Sequence, residues 1–223
     1  MKPGGEPGVR MPRWNQLTAV VGTFRQAEAC SQQAGNDVID LNGQSWGGNV
    51  VLTLAARYGG VAAIALVDGG WIHLAERYPT FEDCWAELAP PAFDHLTRDE
   101  LTSRIRGWYP HWPEQAHRAV LACFADQPDG TVLPHLTRDH HRAILSSLFA
   151  DDPHDCYGAV AVPALLMPAV EAIPVEATAA TRALDAIPGA AVSWYVGADH
   201  DIHAQLPDRC AADLLVLAAR VIA

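Results

Sequence analysis

Two hydrophobic periods alternate along the chain. Leu17, Val20, Val21, Phe24 and Ala27 fall at helical spacing and predict a helix over 17–33, closed by Gly35. A short apolar run predicts a buried strand over 37–42, and it leads straight into Gly43-Gln44-Ser45-Trp46-Gly47-Gly48. Val50, Val51, Leu54 and Ala55 then line one face of a second helix, which ends near Tyr58-Gly59-Gly60. The run 61–67 is too short for a helix and stops at Asp68-Gly69-Gly70, so it reads as another strand. Strand, turn, helix and strand in that order make a parallel crossover unit.

The pattern changes between residues 71 and 152, where four short amphipathic helices follow one another without a convincing strand. Thr80, Thr97 and Thr137 stand where helices start, and Thr97 with Glu100 has the spacing of a capping box, with Leu96 and Leu101 as its staple. His95-Leu96-Thr97-Arg98-Asp99 recurs as His135-Leu136-Thr137-Arg138-Asp139, which two helix starts explain without a repeat. Pro113 opens the third helix, and His140 and His141 are expected at the surface of the fourth. The α/β alternation resumes with a strand over 162–167, a helix over 175–187, a strand over 191–196 and a closing helix over 207–222.

These elements predict an α/β protein: a mostly parallel sheet of about four strands, flanked by helices, with an inserted all-helical cap. Residues 1–16, with Pro3, Pro7, Pro12 and three glycines, form a flexible arm; 17–70 and 153–223 form the core; 71–152 form the cap.

Composition narrows the functional classes. The chain has 223 residues, of which 50% are hydrophobic and 18% charged, which suits a packed globular protein. Fifteen basic against 26 acidic residues give a net charge of −11, so nucleic acid and anionic membranes are disfavoured as partners. Fourteen of the fifteen basic residues are arginine, which carries no function of its own. The five cysteines are odd in number, widely spaced and without a CxxC pair, as in reduced thiols of a cytoplasmic protein. No apolar run approaches membrane-spanning length, and 17–24 is too short and mixed for a signal peptide.

Gly43-Gln44-Ser45-Trp46-Gly47 fits Gly-x-Ser-x-Gly in the context that gives the pattern meaning, between a strand and a helix. A serine there sits on a turn so tight that a side chain at either glycine would clash, and the helix behind it aims N–H groups at the site. Gly197-Ala198-Asp199-His200-Asp201-Ile202-His203 follows the last predicted strand and ends at Pro207. A metal on His200 and His203 lacks a third ligand at a telling spacing. No metal or cofactor is implied.

With these two segments the sequence resembles the α/β-hydrolase family. Its nucleophile elbow is matched by Gly43 to Gly48, and its terminal histidine loop by His200 followed seven residues later by Pro207. The resemblance covers Asp37 to the C-terminus and includes a helical cap. It implies Ser45 as nucleophile, His200 as general base with His203 as runner-up, and the Trp46 backbone N–H as an oxyanion donor. For the acid it points to the loop after the strand ending at Met167, where Glu171 is preferred over Glu176. Some relatives place the acid after the strand that follows the nucleophile helix, and there Asp68 is the alternative.

The implied function is a serine hydrolase acting on a small, hydrophobic ester or related carbonyl substrate through an acyl-enzyme. Trp71, Trp85, Trp108, Trp112 and Phe124 fit either cap core or an apolar lid. The family's His-Gly loop, source of a second oxyanion donor, has no counterpart upstream of Ser45. Three readings follow: a piece of a longer hydrolase, a short form whose exposed sheet edge pairs with another copy, and a catalytically inactive homologue that binds or interacts.

Overall fold

The computed structural model describes residues 39–174 and 178–222. The expected arm, the helix over 17–33, Cys30 and Glu176 lie outside them. β1 (Ile39–Gln44) leads into α1 (Trp46–Arg57), and β2 (Val61–Val67) returns parallel to β1, with Asp40 opposite Ala63 and Gln44 opposite Val67. The crossover read from the sequence is therefore present, with the strand two residues later than expected and the helix starting immediately after Ser45.

β2 lies inside the sheet and is apolar on both faces. Ile64 and Leu66 point to one side, where they pack with Val51 and Leu52 of α1; Ala63, Ala65 and Val67 point to the other. Period-two alternation thus feeds two separate cores from one strand, which is why the run has no polar positions. Each fully buried Ile or Leu contributes about 1.5–3 kcal/mol.

The cap follows Asp68. It holds α2 (Phe81–Leu88), α3 (Arg98–Trp108), α4 (Glu114–Leu121) and, after a short hairpin of β3 (Phe124–Asp126) and β4 (Val132–Pro134), α5 (Arg138–Ala150). The hairpin was not expected. Its strands have three residues each, too few for alternation to register, and its turn rests on Asp129 and on Gly130 at φ 85°. The three threonine caps form: Thr80, Thr97 and Thr137 accept from the N–H groups of Asp83, Glu100 and His140, and the Thr97–Glu100 box is closed in both directions. His140 is exposed as expected, but its neighbour His141 is buried at 3% and faces Trp85; burial, then the charge of Arg138, pushes its pKa down to about 4. Adjacent positions on a helix cannot share a face, and only one of the pair could stay in solvent.

Beyond α6 (His154–Tyr157), β5 (Ala164–Met167) joins β2 in parallel and Pro168 separates it from β6 (Ala169–Val170). After α7 (Ala179–Ala186), the expected strand 191–196 proves to be two: β7 (Ala191–Val192) pairs with β5, and β8 (Tyr195–Val196) pairs with β6. Pro168 has no N–H to give, so the ladder breaks there on both strands. The short helix α8 (Ile202–Gln205) follows the histidine loop, and α9 (Pro207–Ile222) closes the fold and packs against β2. The main sheet has the order β1-β2-β5-β7, all parallel, with β1 at its edge among the described residues. No described helix is long and apolar enough to cross a membrane.

Most of the cap aromatics are core: Trp108 and Phe124 pack around Leu101 and Ile105, Trp85 around Cys84 and Leu145, and Trp71 reaches the main core beside α1. Trp112 does something different, described below.

Candidate active site

Ser45 stands between the last residue of β1 and the first of α1, at φ 56° and ψ −123°. Left-handed φ is costly for a residue with a Cβ, by about 1–3 kcal/mol, and is kept only where the surroundings enforce it. They do so here. The Ser45 N–H donates to the Val67 carbonyl at 2.9 Å, which carries the β1–β2 ladder into the turn, and the Ser45 carbonyl accepts from Gly48 at 2.9 Å. A Cβ on Gly43 would lie 2.1 Å from the Gly47 carbonyl oxygen, one on Gly48 2.6 Å from the Gly69 backbone, and one on Gly69 2.0 Å from the Ser45 carbonyl oxygen. Gly69 belongs to the turn after β2, so the bend is squeezed from two strands.

Although Ser45 occupies the N-cap position, its hydroxyl does not cap α1. An ordinary capping serine sits in the extended region and gives its oxygen to the helix. Trp46 opens α1, and its N–H is one of the first-turn donors for which a helix has no internal acceptor.

The histidine loop lies against this bend. Gln44 Nε2 donates to the His200 carbonyl at 3.3 Å, across 156 positions of sequence, and His200 Nδ1 stands 2.6 Å from Asp68 Oδ2. Asp68 is itself fixed: its N–H donates to Met167 and its Oδ1 accepts from the Ala169 N–H at 3.0 Å, while its own φ is 42°. One carboxylate therefore joins the carboxyl ends of β2 and β5 to the imidazole. The preferred partner, Glu171, is placed elsewhere, exposed in the bend after β6. Glu171 comes three residues after Pro168, beyond β6, whereas Asp68 is the first residue of the tight turn after β2 and meets the imidazole there.

His203 lies three residues further on, in α8, and burial, then the charge of His200, lowers its pKa. Between the two is a residue that sequence reasoning passed over. Asp201 is 2% exposed, neither carboxylate oxygen has a hydrogen-bond partner among the described residues, and burial pushes its pKa up to about 7. Asp68 and Asp199 add to that rise and His200 opposes it. No sequence signal distinguishes Asp201 from the loop acids around it.

The cap touches both halves of the site. Trp46 Nε1 donates to Ser147 Oγ of α5 at 2.9 Å, and Trp112 Nε1, between α3 and α4, donates to Asp199 Oδ2 at 2.8 Å. The Asp199 N–H is held in turn by Gln205 Oε1 at 2.8 Å.

A serine on a strained strand-to-helix bend, a histidine after the last strand and a parallel sheet with a cap inserted after β2 together decide the architecture. Solved structures agree. The fold is that of the α/β-hydrolases. E-2-(acetamidomethylene)succinate hydrolase is similar at a TM-score of 0.68 and 19% identity, over 87% of this chain and 72% of that one. An esterase from Exiguobacterium antarcticum is similar at 0.56 and 17%, over 89% and 72%. A peroxisomal α/β-hydrolase from Saccharomyces cerevisiae is similar at 0.64 and 14%, over 84% and 54%. No family model and no curated protein matches the chain by sequence. Within the α/β-hydrolase fold, the carboxyl ends of the strands are where ligands meet the protein, and Ser45, Asp68 and His200 all stand there.

Proposed function

We propose that the protein is a serine hydrolase in which Ser45 is the nucleophile, His200 the general base and Asp68 the carboxylate that orients it. The observation that carries this reading is the 2.6 Å pairing of His200 with Asp68 in a loop tied to Gln44, the residue before Ser45. With Nδ1–H given to Asp68, the other ring nitrogen is left as the base. It takes the proton of Ser45 as Oγ attacks the substrate carbonyl, and the Trp46 N–H at the start of α1 stabilises the oxyanion. The imidazolium returns its proton to the leaving group as the carbon–heteroatom bond breaks. Water, deprotonated by His200, then releases the acyl group and restores Ser45. Asp68 holds the Nδ1–H and steadies the imidazolium.

The similar folds include an esterase and other hydrolases, which favours a carbonyl compound as substrate; a small, hydrophobic ester fits the sequence reading. Fluorophosphonate labelling tests the assignment: covalent modification of Ser45 in the folded protein, absent in Ser45→Ala, is the expected result. Undiminished hydrolysis of short p-nitrophenyl esters by Ser45→Ala would overturn it. Folded protein that neither labels nor hydrolyses would instead be a binding or interaction protein that keeps the fold without the chemistry.

A further inference from the structure

The cap joins the core through two connections, one leading out of β2 and one leading back into α6, and the chain places an unusual side-chain cluster where they pass each other. His73 and Glu76 lie on the outgoing connection, Glu76 in a short 3-10 turn; Asp152 lies on the returning one and His154 opens α6. One nitrogen or oxygen of each of His73, Glu76 and His154 lies within 4.8 Å of the other two. Nothing in the proposed hydrolysis uses these residues.

Three further details set the cluster apart from a chance gathering of surface charge. His73 Nδ1 is shut off from solvent and has no hydrogen-bond partner among the described residues; Asp152 Oδ1, the nearest acceptor in an ion pair, is 3.7 Å away. Asp152 Oδ1 accepts from both the backbone N–H and Nδ1 of His154, at 2.9 and 2.6 Å, which fixes that ring and leaves its other nitrogen for a ligand. Carboxylates stand behind metal-bound histidines in this way and set the tautomer. Glu76 is anchored by Arg182, which donates to Oε2 at 2.8 Å. Two imidazoles and a carboxylate, braced from behind, form a ligand set of intermediate hardness, the set that borderline divalent ions prefer to calcium or magnesium. Tetrahedral zinc spaces its N and O ligands roughly 3.4 Å apart, so atoms within 4.8 Å of one another need close by little more than an ångström.

We propose that His73, Glu76 and His154 bind a divalent transition-metal ion of the zinc class, with Asp152 orienting His154, and that the ion staples the cap's two connections together. The excess of acidic residues over the whole chain favours cation capture at such a point. The role is structural: an ion binding the folded form alone raises its stability, most of all at the cap root.

The experiment uses the full chain stripped with chelator and titrated with zinc chloride in a calorimeter, alongside thermal melts. One ion per chain is expected, with Tm raised by several degrees at saturation. His73→Ala and His154→Gln should each weaken binding at least tenfold and remove most of the Tm rise. His154 is exposed enough for its replacement to leave the fold intact, and a melt of the metal-free variant checks this. Cobalt(II) as a probe should give the intense visible bands of a four-coordinate site in wild type and lose them in His154→Gln. No saturable binding, or binding unchanged when both histidines are replaced, would overturn the proposal. None of these readouts depends on Ser45, so the hydrolase assignment can fail without touching this one.

Discussion

His200 Nδ1 and Asp68 Oδ2 are 2.6 Å apart and 132 positions apart in sequence. The carboxylate comes from the turn after β2, the strand paired with β1. If it orients the imidazole, Asp68→Asn should lower kcat/KM by on the order of 10³- to 10⁴-fold, since an amide holds the wrong tautomer. Glu171→Gln should leave the rate unchanged. Esterase kinetics on the two variants decide between the carboxylates, and the reverse pattern would return the role to Glu171.

Gly69 should be as intolerant as the glycine of the nucleophile motif. A methyl group there meets the Ser45 carbonyl at 2.0 Å, and that oxygen is backbone with nowhere to go. Gly69→Ala should cost about 1–3 kcal/mol or more, lowering Tm by roughly 2–12 °C, and should suppress labelling of Ser45 even where the protein remains folded. Calorimetry and probe labelling of the variant measure the two effects separately. Gly59→Ala, where a Cβ meets nothing, is the control.

Asp201 makes stability depend on pH. Its carboxyl has an ordinary pKa of 3.8 and a folded value of about 7. Between those values the native chain holds a proton that the unfolded chain has released, so unfolding releases a proton and stability falls as pH rises from about 4 to 7. Above that range the loss is complete, on the order of a few kcal/mol. Asp201→Asn removes the ionisation. Denaturant melts should show the variant more stable than wild type at pH 8, with the gap narrowing toward pH 5.

Thr97→Ala tests the cap independently of the chemistry. The closed box between Thr97 and Glu100 satisfies two N–H groups at the start of α3, and its loss should cost about 1 kcal/mol. Ester hydrolysis at a temperature well below the melt should not change. A large fall in kcat would mean that α3 is coupled to the site.

Much of this arrangement was legible in the sequence, and what was not follows from how distant segments meet. The elbow is a local feature: Gly43, Ser45 and the helix behind them obey rules of turn geometry that five consecutive residues express. The threonine caps are local in the same sense. The partner of His200 is not, because choosing between Asp68 and Glu171 requires knowing which turn lies beneath the imidazole. The split of 191–196 into β7 and β8 was hidden for a similar reason, since its cause, Pro168, sits on the neighbouring strand. The β3–β4 hairpin was simply too short to show a period, and the burial of Asp201 depends on packing that no neighbouring residue announces.

The two indole contacts restrict how the cap can behave. Trp46 fastens it to the elbow through Ser147, and Trp112 fastens it to the histidine loop through Asp199. A cap swinging away as a rigid flap would have to snap one of these latches or drag the elbow or the histidine loop with it. Replacing this cap with one from another scaffold would likewise free the elbow and the histidine loop unless the graft brought a new acceptor for residue 46 and a new donor for residue 199.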